Sequence, residues 1–438
     1  MGHLHHKALF LTCQQPLVYL PDIGILTALK APLEPLLVFV NSFFLNNDDY
    51  QLIAKSLLCI TFVAPGELCV IFDNKDNPLC DMNKTLLLLL FFLVRQSTIQ
   101  AQHPDISRFE TAYAEIADML DGKSTLSIKR AVFLPEWAYL DGKPDYGAYC
   151  AQIDAAAAAL GQFIAANGLQ HYRTGGNYAL FEYFSRPYSM NDYKPFIYDF
   201  DDFSGSEDLT KIFVTKVMRT HSGQCRSLPM YYKVLAEAIG AEAHITFAPQ
   251  HLFIRHRDEQ NSSKWVNVEL TTQSLAREIF YIENFGISAD AIRNKVYLYP
   301  LSDRETVAYL LSELAANYYR KFERFDAFIL KCAEKSLEYL PQNILAQQHR
   351  CNVLNIELKN YMKAHNNIPD EYAASLDRRW LEYNAALRKL GWAEMPDSIY
   401  LRLLNSVEED MKRQDMDSLS IAKTIQPMKS TDNKSNEL

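Results

Sequence analysis

The chain has 438 residues, of which 48% are hydrophobic and 22% are charged. This balance excludes a wholly disordered chain, and the length favours two or three domains. The net charge of −9 at pH 7 offers no overall basic surface, so nucleic acid is not expected as a partner.

The eight cysteines contain no Cys-x-x-Cys pair and no Cys/His cluster with the spacing of a zinc site. Their spacing is also unlike that of a small disulfide framework. We therefore expect neither a metal nor an organic cofactor, and the cysteines have to be judged one by one.

Residues 82–101 have the layout of a secretory signal peptide. Lys84 supplies a positive start, residues 86–94 are an unbroken apolar run, and residues 99–101 loosely fit the small-residue rule for cleavage. A bilayer-spanning helix needs about 20 residues, so this run predicts no stable membrane span.

The internal position of this segment favours Met82 as the natural start, with residues 1–81 as a spurious or unstructured extension. The mature protein would then begin near Gln102 and be secreted or periplasmic. The alternative is a genuine N-terminal region whose buried helix contains the apolar run, and in that case the protein would be cytoplasmic.

Apolar residues at helical spacing predict three helices, at residues 105–130, 149–166 and 208–219. Asn167-Gly168 is a usual C-terminal stop for the second helix. Gly175-Gly176-Asn177 predicts a turn. Residues 187–205 contain paired aspartates, and their mixed polar and aromatic pattern favours a solvated loop over a metal site.

A cysteine in the centre of the chain lies at the head of a predicted helix. Residues 230–240 extend an apolar stripe of helical spacing, Pro229 is tolerated in the first turn, and Gly240 fits the stop. Cys225 therefore lies at or just before a helix N-terminus, where a thiolate and a substrate oxyanion are both stabilised. The adjacent Gln224 is a candidate oxyanion donor.

Alternating apolar residues predict three antiparallel strands, at residues 243–248, 249–255 and 264–270. His251 lies on the second strand, and Asn267 and Glu269 share one face of the third. A cysteine nucleophile needs an adjacent base, and the base needs an orienting polar partner. We predict Cys225, His251 and Glu269 as the catalytic set, with Asn267 as the alternative orienting residue. His221, His244 and His256 are interpreted as ordinary surface or core histidines.

These motifs resemble the transglutaminase-like superfamily over roughly residues 170–300. The three motifs are, in order, Gly223-Gln-Cys225, Pro249-Gln-His251 and Trp265-Val-Asn-Val-Glu269-Leu-Thr271. Glu269 stands where the family more often has Asp. The sequence is also similar to a bacterial subgroup with Cys-x-Ser-Leu-Pro, Ala-Pro-x-His and Asn-x-Glu-Leu-Thr. The resemblance implies an α+β, papain-like cysteine domain with an antiparallel sheet over residues 103–300.

Residues 302–411 predict a helical region that resembles a degenerate tetratricopeptide repeat. Ser302 and Glu305 form a capping box, and Pro341 separates two further helices. Such a region either packs on the cysteine domain or binds a protein partner. The polar tail, residues 412–438, is predicted to be disordered.

The sequence thus predicts thiol-dependent acyl transfer on amide or peptide substrates. Water as acceptor gives a cysteine peptidase or amidase, which is favoured because water is always present, and an amine as acceptor gives a cross-linking transferase. The alternative is a catalytically inactive transglutaminase-like scaffold that binds a protein or peptide in the cell envelope. A structural role in the envelope is a third hypothesis.

Overall fold

A computed structural model describes residues 60–64, 67–70, 105–392, 409 and 412, with more helix than strand, and the α+β class is confirmed. Ile60–Ala64 (β1) and Glu67–Val70 (β2) form an antiparallel hairpin in one compact unit. The later described residues belong to a second unit. The signal-like segment 82–101 lies outside the described residues, as do the end of the predicted helical region from residue 393 onward and the tail, apart from Glu409 and Lys412.

From residue 105 onward, six described α-helices precede the central sheet: Ser107–Leu120 (α1), Ile128–Tyr139 (α2), Tyr146–Ala166 (α3), Gly175–Ser185 (α4), Val214–Thr220 (α5) and Ser227–Ile239 (α6). The expected helix at 149–166 and its stop at Asn167-Gly168 are confirmed, and α3 starts three residues earlier. Gly240 closes α6 with a left-handed φ of 70°, as the sequence predicted.

Three predictions for the residues before the central sheet were wrong in detail. The helix expected at 105–130 ends at Leu120, and α2 starts anew after Ser127, whose side chain accepts a hydrogen bond from the Arg130 N–H. The helix expected at 208–219 is split into the 3₁₀ turn Leu209–Ile212 and α5. The extended backbone of Phe213 separates them.

The third error concerns Gly175, which begins α4 rather than forming a turn. A Cβ at this position would lie 2.0 Å from the Leu169 carbonyl oxygen. The glycine is therefore needed for a close backbone approach at the start of a helix.

Two short parallel strands, Ile197–Tyr198 (β3) and Ser222–Gly223 (β4), bring the predicted loop beside the segment ahead of α6. The main sheet is antiparallel, in the order His244–Ala248 (β5), His251–Arg257 (β6), Trp265–Glu269 (β7) and Ser274–Ala276 (β8). The three predicted strands are confirmed, and β8 is an addition. Helix α6 packs against β5 and β6.

Up to residue 392, six α-helices follow the sheet: Glu278–Phe285 (α7), Ala289–Arg293 (α8), Asp303–Phe322 (α9), Ala327–Tyr339 (α10), Ile344–Ala364 (α11) and Glu371–Lys389 (α12). The capping box of Ser302 and Glu305 is confirmed. Helix α9 packs against α1 and α2 as well as α10, so its buried face completes the core of the preceding helices. None of the described helices has the length and hydropathy needed to span a bilayer.

Candidate functional site

Cys225 lies two residues ahead of α6 and is 8% exposed. The close packing of Gly223 sets the approach to it, since a Cβ there would lie 2.7 Å from a Val217 methyl and 2.9 Å from the Ser227 hydroxyl. Cys225 is disulfide-bonded, which the sequence analysis did not predict. Thiol chemistry at this residue therefore belongs to the reduced protein.

His251 and Glu269 form a buried hydrogen-bonded pair on the sheet. Nε2 of the imidazole lies 2.7 Å from Oε2 of the carboxylate, and the two residues are 7% and 2% exposed. His251 begins β6 and Glu269 ends β7, so both lie at the same end of the sheet. The structure thus brings two of the three predicted catalytic residues into direct contact.

Glu269 accepts four hydrogen bonds, two on each carboxylate oxygen. Oε2 accepts from His251 and from the Tyr281 hydroxyl at 3.1 Å. Oε1 accepts from the Thr271 backbone N–H at 3.1 Å and from its hydroxyl at 2.7 Å. Burial alone would raise the pKa of Glu269. The charge of His251 and the hydrogen bonds from His251 and Thr271 outweigh it and hold that pKa below its usual value.

An ionised carboxylate only accepts hydrogen bonds, so the contact with Glu269 assigns a hydrogen to Nε2 of His251. In the neutral imidazole the lone pair available for proton transfer is therefore on Nδ1. This is the arrangement that a general base oriented by a carboxylate requires.

Helix α7 supplies aromatic rings around the pair, which the sequence analysis missed. The Phe285 ring stacks on the His251 imidazole with centroids 5.1 Å apart. The Tyr281 ring stacks on Phe253 at 3.9 Å. The spacing of Tyr281 and Phe285 is the one signal in the sequence, because residues four apart share a helix face. It does not identify the imidazole as their partner.

The structure places Asn267 on Arg255 rather than on the imidazole. Its Oδ1 accepts from Arg255 Nε at 2.7 Å, and its Nδ2 donates to the Ala276 carbonyl at 2.9 Å. Arg255 also donates to the Leu298 carbonyl and pairs with Glu278 at 3.0 Å. Asn267 therefore links its own strand to the two neighbouring strands, and Glu269 is the residue that contacts His251.

Gln224 is fully buried beside Cys225. The Ser227 hydroxyl accepts from the Gln224 backbone N–H at 3.0 Å and donates to Gln224 Oε1 at 3.1 Å. Among the described residues, Gln224 Nε2 is one of the buried side-chain atoms without a hydrogen-bond partner. The amide is thus held by one end, and its N–H donors are left for another acceptor.

Two described contacts tie the Cys225 segment to the His251 end of the sheet. The Gln273 side chain, in the turn between β7 and β8, donates to the Phe196 carbonyl at 2.6 Å. Three residues after Phe196, directly after β3, the Asp199 N–H donates to the Gly223 carbonyl at 2.8 Å. The turn that follows Glu269 is therefore linked through β3 to the backbone just ahead of Cys225.

The ring nitrogens of the other three histidines lie at hydrogen-bond distance from backbone carbonyls: His221 from Lys194, His244 from Leu301 and His256 from Arg257. In the acidic loop, Asp199 pairs with Lys216, and Asp202 accepts hydrogen bonds from residues 206–208. Within the described part of the chain, no group of three or more His, Cys, Asp or Glu side chains is placed to hold a metal ion.

No protein-family model matches the chain, and neither a curated protein nor a solved structure matches it. The function is therefore argued from the side chains described above. They combine a sulfur ahead of a helix, an imidazole with an assigned base nitrogen, and a buried carboxylate that orients the imidazole.

Proposed function

We propose that this chain contains a transglutaminase-like cysteine domain that performs thiol-dependent acyl transfer on protein or peptide substrates. The observation that carries the proposal is the buried 2.7 Å hydrogen bond between His251 Nε2 and Glu269 Oε2. This pair lies on a sheet that packs against α6, the helix that follows Cys225. The order of cysteine, histidine and acid along the chain agrees with the resemblance.

In the proposed reaction, Nδ1 of His251 takes the proton of the reduced Cys225 thiol. The thiolate forms a bond to the amide carbonyl carbon, and the negative oxygen is held by N–H groups at the head of α6 and by Gln224 Nε2. The C–N bond then breaks, and the amine leaves with the proton from Nδ1. Water attacks the thioester, which releases a carboxylic acid and restores the thiol. Glu269 keeps the imidazole in its tautomer and orientation throughout.

Hydrolysis is the favoured outcome because water is always present, and transfer to an amine would give a cross-linking product. The signal-like segment at residues 82–101 supports the proposal that the protein works outside the cytoplasm.

The alternative is a catalytically inactive transglutaminase-like scaffold that binds a protein or peptide partner. The specific observation that favours it is the same disulfide, because a sulfur held in a disulfide is not a nucleophile. The two functions predict different reactivities for the Cys225 thiol after reduction. In an enzyme this thiol should react rapidly with an alkylating reagent, and in a scaffold it should react at the rate of an ordinary cysteine.

The test is the rate of iodoacetamide labelling of the full chain after complete reduction, followed peptide by peptide by mass spectrometry. We expect Cys225 to react near neutral pH at least about 10²-fold faster than the other thiols, the size of effect that an adjacent base produces. Cys332 and Cys351 are internal controls, because burial raises both pKa values, that of Cys351 to about 11.

The His251→Ala variant should abolish the fast labelling while the rates of Cys332 and Cys351 stay unchanged. Cys225→Ala should remove the labelled peptide, and in a peptide-library assay it should also remove any hydrolysis. Equal rates for Cys225 and the partly buried Cys150 in the reduced wild-type protein would establish the scaffold instead.

A further inference from the structure

Oxygen Oε2 of Glu269 is shared by two donors. It accepts from His251 Nε2 at 2.7 Å and from the Tyr281 hydroxyl at 3.1 Å. Burial raises the pKa of Tyr281, and the negative charge of Glu269 raises it further, so the phenol stays protonated and donates. The oxygen that orients the base is therefore itself held by a neutral phenol.

The position of this phenol is fixed by the packing of its ring. Tyr281 is fully buried on α7, and its ring lies parallel to the Phe253 ring at 3.9 Å, with 13° between the planes. Phe253 lies two residues after His251 on β6 and so shares its face of the sheet. One helix thus places both a hydroxyl on the carboxylate and, through Phe285, a ring on the imidazole.

We propose that Tyr281 is a positioning residue for the base, acting on His251 through Glu269. The proposal rests on the function proposed above. The Tyr281 hydroxyl fixes the rotation of the carboxylate about its side-chain bond and draws negative charge away from Oε2. Thr271 does the same for Oε1, so the carboxylate is held at both oxygens.

The hydrogen-bond geometry predicts the direction in which removal of the Tyr281 hydroxyl shifts the pH dependence of the reaction. A carboxylate with one donor fewer carries more negative charge towards the Nε2 hydrogen, and it stabilises the imidazolium form of His251 more strongly. The base nitrogen Nδ1 is then free only at higher pH. A loss of packing without this electrostatic link would slow the reaction but leave its pH dependence in place.

Among the described residues, the charged groups that act on the Tyr281 hydroxyl are Glu269 and Arg255. Arg255 on β6 pairs with Glu278, in the first turn of α7, at 3.0 Å. A shift in the pH profile of a Tyr281 variant is therefore assigned to Glu269 and His251 when the Arg255–Glu278 pair is left unchanged.

The experiment is the pH dependence of Cys225 labelling by iodoacetamide in the fully reduced chain, with Tyr281→Phe compared with wild type. Phenylalanine keeps the ring on Phe253 and removes only the hydroxyl. We expect the plateau rate to fall about tenfold, the effect of a lost hydrogen bond to a charged group. The acid limb should move to higher pH by about half a unit to one unit.

Tyr318→Phe is the matched control. Tyr318 is also fully buried and donates its hydroxyl to a carboxylate, Asp326 Oδ2, at 2.7 Å, but it belongs to the C-terminal helices. This variant should keep both the plateau rate and the acid limb of the wild-type protein. If Tyr281→Phe does not fold, Thr271→Val provides the same test with the same sign, because it removes a hydroxyl from Oε1.

The outcomes separate the two proposals. An unchanged profile in the Tyr281 variant, with fast labelling lost in His251→Ala, overturns the positioning role and leaves the proposed function standing. A rate in His251→Ala equal to that of wild type overturns the proposed function and the positioning role with it. A fall in plateau rate without a shift of the acid limb identifies Tyr281 as a packing residue only.

Discussion

Two buried glutamates lie close to the candidate catalytic residues, and they are held in different ways. Glu269, 2% exposed, binds an imidazole, a phenol and a threonine. Glu313 on α9, 5% exposed, pairs with Arg226 and accepts from the Tyr309 hydroxyl. Arg226 is the residue directly after Cys225, so this second pair joins the head of α6 to the C-terminal helices.

The difference between the two carboxylates lies in what their partners can do. A guanidinium stays charged at every accessible pH, whereas an imidazole changes its charge near neutrality. The pair of Glu313 and Arg226 can therefore fix geometry but cannot take part in proton transfer. The pair of Glu269 and His251 can do both. Substitutions at the arginine pair should therefore act on stability, and substitutions at the histidine pair on the reaction rate as well.

The largest effect on stability is expected from breaking the arginine pair. Arg226→Met leaves the Glu313 charge buried without its partner and should lower the free energy of unfolding by about 3–5 kcal/mol. The double variant Arg226→Met, Glu313→Leu removes both charges and should recover most of that loss. Urea unfolding of the reduced chain measures both values. A double variant as unstable as the single one would show that the pair is not the cause.

A smaller effect is expected from Glu269→Gln, which keeps the shape of the side chain. Its amide has only one acceptor oxygen, so donors from Thr271, or from His251 and Tyr281, lose their acceptor. We expect a loss of about 1–3 kcal/mol in the free energy of unfolding. The labelling rate of Cys225 should fall about 10²–10⁴-fold, because the imidazole loses its orienting charge.

Arg226→Met and Glu269→Gln should differ in how their effect on stability compares with their effect on the labelling rate. The arginine variant should change stability more than rate per folded molecule, and the glutamate variant the reverse. Rates are therefore compared at a temperature where both variants are folded, as judged by far-ultraviolet circular dichroism. A glutamate variant that retains the wild-type rate would remove Glu269 from the mechanism.

The packing at Gly223 provides a third, smaller test. Gly223→Ala puts a Cβ against Val217 and Ser227, and this overpacking should cost about 1–2 kcal/mol and slow the labelling of Cys225. Gly161→Ala is the control, since nothing lies within 4 Å of a Cβ there and the residue is in the middle of α3. That change should stabilise the chain by about 0.5–1 kcal/mol without altering the labelling rate.

The parts that the sequence predicted are those that local patterns determine. The capping box at Ser302, the stop at Gly240 and the three strands each follow from side chains within a few residues of one another. The split of the helix expected at 208–219 depends on a distant residue. Glu136 on α2 accepts from the backbone N–H groups of Val214 and Thr215 and so starts α5 there.

The candidate site shows the same division. Glu269 was predicted as the orienting residue, with Asn267 on the same strand face as the alternative, and no local pattern excluded Asn267. The choice depends on Arg255 on the neighbouring strand, which donates a hydrogen bond to Asn267 and so holds it away from the imidazole. Tyr281 and Phe285 were missed because their partners lie on strands that precede them in the chain. Long-range contacts of this kind leave no local signal.

The smallest effect is a pH dependence, and it separates the two glutamates directly. The pKa of Glu269 is below its ordinary value of 4.5, so its stabilising contribution is fully present above about that pH and is lost as the pH falls through the lower, folded value. Glu269→Gln has no such contribution to lose. The difference in free energy of unfolding between wild type and variant should therefore shrink as the pH falls from about 6 to about 3. Urea unfolding across this range measures it, and a constant difference would mean that folding does not lower the pKa of Glu269, so that His251 and Thr271 do not stabilise its charge.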